Sequence, residues 1–458
     1  MNISADLLVI GGGMAGLVAG TIATEHGLET VLLRKGQSAT AFSSGAVDVI
    51  GYLPEATAPF TNPEEGLAAI AGLYPLHPYS VVGYGEDVSP EQVVNAIISR
   101  TKRSIDWLRE KLSKTLVPLV GDFSSNIYPI TVLGTTKPTC LIQQTMDQGD
   151  LEENEDCTLL FAGIKGFPDF NAATAAKTYL EDRVALSLPP RRVAHCDIQI
   201  TPFGRPHNIS PIEIARHLDH EDGLEEFATQ LKHQTERVGA THVAIPPILG
   251  LRNAVSNQTK LKGLLSAHVF ELLGFPPSIP GLRLQLALEQ IFLETGGKLL
   301  VGHEAISYSL QNGVVESVLA KAPKRAIGIN AKTIILASGK FIGGGLTGDV
   351  HGIHETVFGL MTVTGSYHSA ENILPSRATN RMVLTPEGHP VYSTGLTVDP
   401  NFRPIQEDGT EWARNLFAAG SILGGYNYSV EKSGLGVALS TGFSAALNAC
   451  DYVKGVFE

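Results

Sequence analysis

The sequence predicts an α/β fold in which a Rossmann-like domain is assembled from N-terminal, mid-chain and C-terminal segments, with a second α/β domain inserted into it. One observation is a set of glycine-rich strand ends far apart in the chain: "DLLVIGGGMAGLVAG" at 6–20, "KTIILASGKFIGGGL" at 332–346 and "NLFAAGSILGG" at 415–425. The other is "CTLLFAGIKGFPDFNAATAAKTYLEDR", a strand, turn and helix that starts a separate α/β unit near Cys157. The expected division is 1–85 with 281–458 for the first domain and 86–280 for the insert.

At the N-terminus, the uninterrupted apolar run Leu7 to Ile10 reads as a buried strand. Gly11, Gly13 and Gly16 follow at G-x-G-x-x-G spacing. The first permits a tight turn, the second lets a pyrophosphate approach the backbone, and the third lets the next helix lie close to the strand. Ala15, Ala19 and Ala23 recur every four residues, so one face of that helix is small enough to pack tightly on the sheet. A second strand, Thr30 to Leu33, ends in Arg34 and Lys35, where the fingerprint expects an acid about 20 residues on to hold an adenosine ribose. Arg34 is compatible with a ribose phosphate, with the single phosphate of a flavin mononucleotide, or with a solvated charge that closes a strand.

Composition excludes several classes. The 458 residues carry 34 basic and 46 acidic side chains, net −12, with no basic run, which argues against nucleic acid as a partner. Neither a signal peptide nor an apolar stretch of about 20 residues is visible, so the expectation is a cytoplasmic protein with no direct membrane insertion. Cys140, Cys157, Cys196 and Cys450 are scattered without a C-x-x-C, so no metal or iron–sulfur site is expected.

Further along, Ser89 can cap a helix running to about Leu112, "THVAIPPILGL" reads as a short buried strand, and "GLRLQLALEQIFLETGG" as a helix stopped by Gly296 and Gly297. The last third decides the ligand class. The strand Thr333 to Ala337 opens into Gly339, and the strand Leu416 to Ala419 ends at Gly420 and Ser421 before passing through Gly434 and Gly436 into a small-residue helix. A simple nicotinamide dehydrogenase has no need to revisit its nucleotide domain so late. A flavoprotein of the two-dinucleotide-binding-domain kind does, and amides near Gly434 and Gly436 would then meet charge on the reduced ring.

"GQSATAFSSGAVDV", "HPYS" at His77 to Ser80, "GLRLQLALEQIFLETGG", "LASGKFIGGGL" and "NLFAAGSILGG" together resemble the B-subunit family of anaerobic glycerol-3-phosphate dehydrogenase. The resemblance implies FMN, with FAD as the close alternative, and Ser43, Ser44 and Gly45 of the "FSSG" block among the cofactor-binding residues beside Arg34 and Lys35. It also implies a catalytic flavoprotein subunit and a membrane-associated iron–sulfur subunit as partners, with electrons passing from glycerol 3-phosphate towards quinone and on to fumarate or nitrate. The chain departs from related FAD enzymes in carrying Ser421 where they have an acid. Two other readings remain open, a self-sufficient FAD dehydrogenase of a small acid and a flavin-fold interaction subunit with weakened cofactor binding. Oxidising an alcohol needs a base and a cation for the phosphate. From a set that also holds His77, Arg205, His207 and Arg252, His351, His354 and Arg283 are the expected catalytic residues.

Overall fold

The computed structural model describes the chain apart from residues 1, 55, 84–88, 152–155, 201–207, 367–368, 372, 384 and 457–458. Two compact units are present, one of Met1–Ala39, Val47–Leu108 and Leu288–Glu458, the other of Thr40–Ala46 and Arg109–Ala287.

The first unit is built on a seven-stranded sheet. Its central strand, Asn2–Ile10, is flanked in parallel by Thr30–Arg34 on one side and by the long strand Arg325–Leu336 on the other. Beyond Thr30–Arg34 lies Lys298–Val301, also parallel. On its other edge Arg325–Leu336 changes partner along its length. Residues 325–330 pair antiparallel with Val314–Ala322, which pairs in turn with Glu304–Gln311, whereas Ile334 to Leu336 pair in parallel with Leu416–Ala418. Asn415 closes the junction. Its side-chain carbonyl accepts from the Val315 amide at 2.9 Å, and its side-chain amide donates to the carbonyls of Val315 at 2.9 Å and Lys332 at 3.1 Å.

Helices cover the sheet. Met14–Glu25 leaves the glycine turn with Ala15, Ala19 and Ala23 all buried, and its closest neighbour is the final helix, Gly434–Val453. A Cβ on Gly442 would strike the backbone of Ala15, so the crossing requires a glycine there. The helix Pro90–Leu112 begins with a capping box, as Ser89 Oγ accepts from the Gln92 amide and Gln92 Oε1 from the Ser89 amide. The sequence reading places this helix in the insert, but its residues through Leu108 belong to the first unit. Its apolar face explains the difference: the Trp107 ring meets Phe443 edge-on at 6.3 Å, Arg103 lies over the same ring, and Trp107 Nε1 donates to Glu25.

The second unit holds a four-stranded parallel sheet in the order Arg192–Ile198, Thr158–Ile164, His242–Ile245, His268–Glu271. The strand expected near Cys157 and the short strand after Thr241 are both in it. All four cysteines are buried free thiols. Among the described residues no helix is long and apolar enough to cross a membrane.

Replacing Asn415 by Leu should lower the unfolding free energy by about 2–4 kcal/mol, because it removes the partners of the buried Val315 amide and carbonyl and of the part-buried Lys332 carbonyl at the partner change. Urea unfolding followed by circular dichroism measures it, and a loss below about 0.5 kcal/mol, as at ordinary surface positions, would show that the junction does not depend on this side chain.

Candidate flavin site

The carboxyl ends of Asn2–Ile10, Arg325–Leu336 and Leu416–Ala418 lie side by side because the strands are parallel neighbours. Gly11, Gly339 and Gly420, the residues beyond these ends, take φ values of +121°, +77° and +80°, which disfavour any side chain. Gly11 also needs its bare α-carbon for contact, since a Cβ would run into the carbonyl of Ala337. Gly16 is required by the Gly11 carbonyl in the same way. Gly13 is the N-cap of the following helix and brings no side chain to its first-turn amides. Gly339 and Ser421 approach closely, with Ser421 Oγ 3.4 Å from where a Cβ on Gly339 would stand. These residues fit the phosphate end of a flavin. Beside them, Ser338 Oγ is buried without a hydrogen-bond partner among the described residues.

The two cations at the end of the second strand each meet a carboxylate. Arg34 Nη1 is paired with Glu289, both side chains mostly buried, and Lys35 with Glu304 at 2.6 Å in the open. Arg34 and Lys35, expected among the cofactor-binding residues, are each paired with a carboxylate from a neighbouring element.

Behind the Gly339 turn lies a buried polar cluster that sequence reasoning recognised only through His77. The ammonium of Lys340 donates to the Tyr392 carbonyl and stands 5.0 Å above the Tyr426 ring. Burial brings its pKa down from 10.5 to about 7, with the charge of Glu431 opposing that shift. His77 Nδ1 accepts from the Tyr79 amide, so its Nε2 carries the proton given to Glu431 at 3.1 Å. Glu431 also accepts from Ser433 Oγ and the Asn427 amide. A lysine following a glycine strand end is the one sequence signal that could have disclosed Lys340.

Other expected residues lie elsewhere or are otherwise engaged. Ser43, Ser44 and Gly45 belong to the second unit, where Ser43 Oγ donates to Thr40 and Gln143 Nε2 donates to the carbonyls of Gly45 and Pro280. Arg283, also in that unit, is 2% exposed. Its guanidinium donates to both Glu271 oxygens, at 2.6 and 2.9 Å, and to the Gly250 carbonyl, so it is a structural tie where a substrate-binding cation was expected. His351 and His354 do not share the face of one turn. His351 sits at the tip of the hairpin Leu346–Asp349/Gly352–Glu355 with its amide on Asp349, while His354 is on the returning strand, partly exposed, 3.9 Å from Asp349. The Gly436 amide donates to the Asp48 carbonyl at 2.9 Å, and a Cβ there would collide with Asp48, Val49 and Tyr79. Gly436 therefore serves close packing, and its amide is already engaged; Gly434 has ordinary clearance from Tyr428. Arg205 and His207 lie outside the described residues.

A family model described as an FAD binding domain matches residues 6–437. A protein of Aliivibrio fischeri named as the B-subunit of anaerobic glycerol-3-phosphate dehydrogenase is 30% identical over 96% of this chain and 94% of its own length. One of the same name from Vibrio vulnificus is 32% identical over 97% of this chain and 96% of its own. The chain belongs to the B-subunit family of anaerobic glycerol-3-phosphate dehydrogenase. It is thus a flavin-dependent oxidoreductase by family, and one component of a larger assembly by the name of its relatives.

Two outcomes are expected for this member of the B-subunit family. Gly11→Ala should abolish flavin retention, read as loss of visible absorbance in the purified chain, because the new methyl group displaces the turn from Ala337. Retention of stoichiometric flavin would place the cofactor away from this turn. The second concerns pH. An unfolded Lys340 binds its proton below about 10.5, whereas the folded one does so only below about 7, so the unfolded state holds more protons between these values. Stability of the flavin-free chain should therefore rise from pH 7 to pH 9 through this group, and Lys340→Met should remove that part of the slope. Identical slopes in urea titrations of both chains would show that the ammonium is solvated.

Proposed function

We propose that this chain is the flavin-bearing B-subunit of a glycerol-3-phosphate dehydrogenase complex, which oxidises glycerol 3-phosphate to dihydroxyacetone phosphate and passes the electrons towards quinone. Its partners are a catalytic flavoprotein subunit and a membrane-associated iron–sulfur subunit, through which it sits on the cytoplasmic face of the membrane; fumarate or nitrate is the terminal acceptor. The observation that carries this reading is end-to-end similarity to relatives of that name, together with three glycine strand ends that lie side by side. A bound flavin supplies the two-electron acceptor for hydride from the carbinol carbon.

The chain's own residues have separable parts in this reading. Gly11, Gly13 and the start of Met14–Glu25 hold phosphate, since helix-end amides favour anions. Lys340 places a buried amine next to Gly339, whose charged form burial disfavours and Glu431 favours. His351 and His354 are open to solute, as the buried His77 is not, and are the proposed acceptors of the carbinol proton. Their hairpin is tied back to the glycine run by the Thr356 amide on the Gly345 carbonyl, at 3.1 Å.

The chain purified alone should carry flavin yet fail to reduce a quinone analogue with glycerol 3-phosphate, and should do so once recombined with its partner subunits. Turnover by the isolated chain at the rate of the whole complex would favour the self-sufficient dehydrogenase instead.

A further inference from the structure

Lys340 follows Gly339 at the end of the long strand, and the glycine loop that comes after it fixes its backbone. Its carbonyl accepts from the Gly345 amide at 3.0 Å, while a Cβ on Gly343 would strike the Ser338 carbonyl and one on Gly345 the carbonyl of Gly339. The side chain is 9% exposed, and its nitrogen meets two partners, the Tyr392 carbonyl and the face of the Tyr426 ring. A neutral amine has two N–H groups, which these partners occupy, and a lone pair left over. An ammonium has a third N–H, for which no acceptor stands among the described residues. The charge that acts on this amine is Glu431, itself fully buried. Its oxygens are held by the Asn427 amide at 2.8 Å, Ser433 Oγ at 2.8 Å and His77 Nε2 at 3.1 Å, so it acts on Lys340 across space. Of the other titratable groups on the elements around it, burial raises the Tyr426 and Tyr428 phenols and keeps them neutral, and Tyr392 meets Tyr428 edge-on at 5.4 Å. Lys432 donates to the Ser429 carbonyl, and Lys35, which approaches Gly344, is paired with Glu304.

We propose that the Lys340 amine takes up a proton when the bound flavin is reduced, so that the charge arriving on the ring is matched inside the protein. The proposal rests on the flavin reading above. Hydride from the carbinol carbon brings two electrons and one hydrogen to the flavin and leaves one negative charge there. The lone pair of Lys340 accepts one proton from solvent and forms the third N–H. When the next carrier removes the two electrons, both protons return to solvent. Lys340 comes directly after one of three strand ends that lie side by side, so a charge held at those ends acts on it through a dry interior, where opposite charges attract several-fold more strongly than in water. Burial, opposed by Glu431, sets the amine at about 7, so above that pH it is neutral until a further negative charge appears.

The midpoint potential of the flavin-loaded, full-length chain is measured by spectroelectrochemical titration from about pH 6 to about pH 9, a range that brackets the titration of the amine. One proton taken up per two electrons changes the potential by about 30 mV per pH unit, the tenfold change in proton concentration converted for a two-electron couple. Above pH 7 the wild-type potential should fall by about 60 mV per pH unit, for one proton on the ring and one on Lys340, and that of Lys340→Met by about 30 mV. Lys340→Arg, which keeps a permanent cation, should show the shallow slope of the Met variant at a higher potential. Glu431→Gln removes the field that favours the ammonium and should bring the start of the steep range below pH 7. Thermal melts identify any variant that is unfolded, and the wild-type slope decides without them. A wild-type slope of about 30 mV per pH unit above pH 7, or equal slopes in wild type and Lys340→Met, overturns proton uptake at Lys340. A wild-type chain that binds no flavin overturns the flavin reading and this inference with it.

Discussion

The first unit depends on the approach of Gly11 to the carbonyl of Ala337. It holds two parallel strand ends at a separation that no side chain permits, and the third end, at Gly420, is fixed to them by Ala15 on one side and the Thr441 hydroxyl on the other. The crevice, the start of the first helix and the last helix are all positioned from this contact. Gly442 against Ala15 extends the same principle to the two helices, which cross where the bare backbone of one meets the backbone of the other. Small residues therefore mark places where one segment of chain serves as the wall of another.

Strand ends were readable because their signal is local. An apolar run followed by a turn signal needs no tertiary information, and Asn2–Ile10, Thr30–Arg34, Leu416–Ala418 and the last four residues of Arg325–Leu336 occur where those signals stand, whereas residues 325–332 of that strand carried none. The capping box at Ser89 was readable for the same reason, but the unit to which its helix belongs was not, since that depends on Trp107 meeting Phe443, more than 300 residues away. The meander of Glu304–Gln311 and Val314–Ala322 carries a high fraction of exposed positions, so periodicity did not disclose it, and the signal that could have done so is its Asn312-Gly313 turn, with φ of 51° and 72°.

At the site, backbone requirements were legible and side-chain partnerships were not. Arg34, Lys35 and Arg283 were each read as a cation in search of an anion, and the fold answers all three with internal carboxylates, Glu289, Glu304 and Glu271. Such pairings join residues with no sequence relation. Lys340 is the reverse case: an unremarked lysine that burial turns into the least solvated ammonium described near the crevice. Its neighbours Tyr392, Tyr426 and Glu431 come from the short helix Pro390–Ser393, a loop and the short helix Tyr428–Glu431, which only the folded chain assembles.

The order of strands in the main sheet has a consequence for biosynthesis. Asn2–Ile10 leaves the ribosome early, but its partner on one side, Arg325–Leu336, and that strand's own partner, Leu416–Ala418, are made more than 300 and 400 residues later. The only neighbour available at first is Thr30–Arg34, and two strands with one helix cannot bury an apolar run of this kind. The second unit, contiguous from Arg109 to Ala287 except for Thr40–Ala46, can collapse on itself while the first is still incomplete. The three glycine strand ends are thus brought together only late in synthesis, and until then the apolar run Leu7 to Ile10 lacks one of its two neighbouring strands.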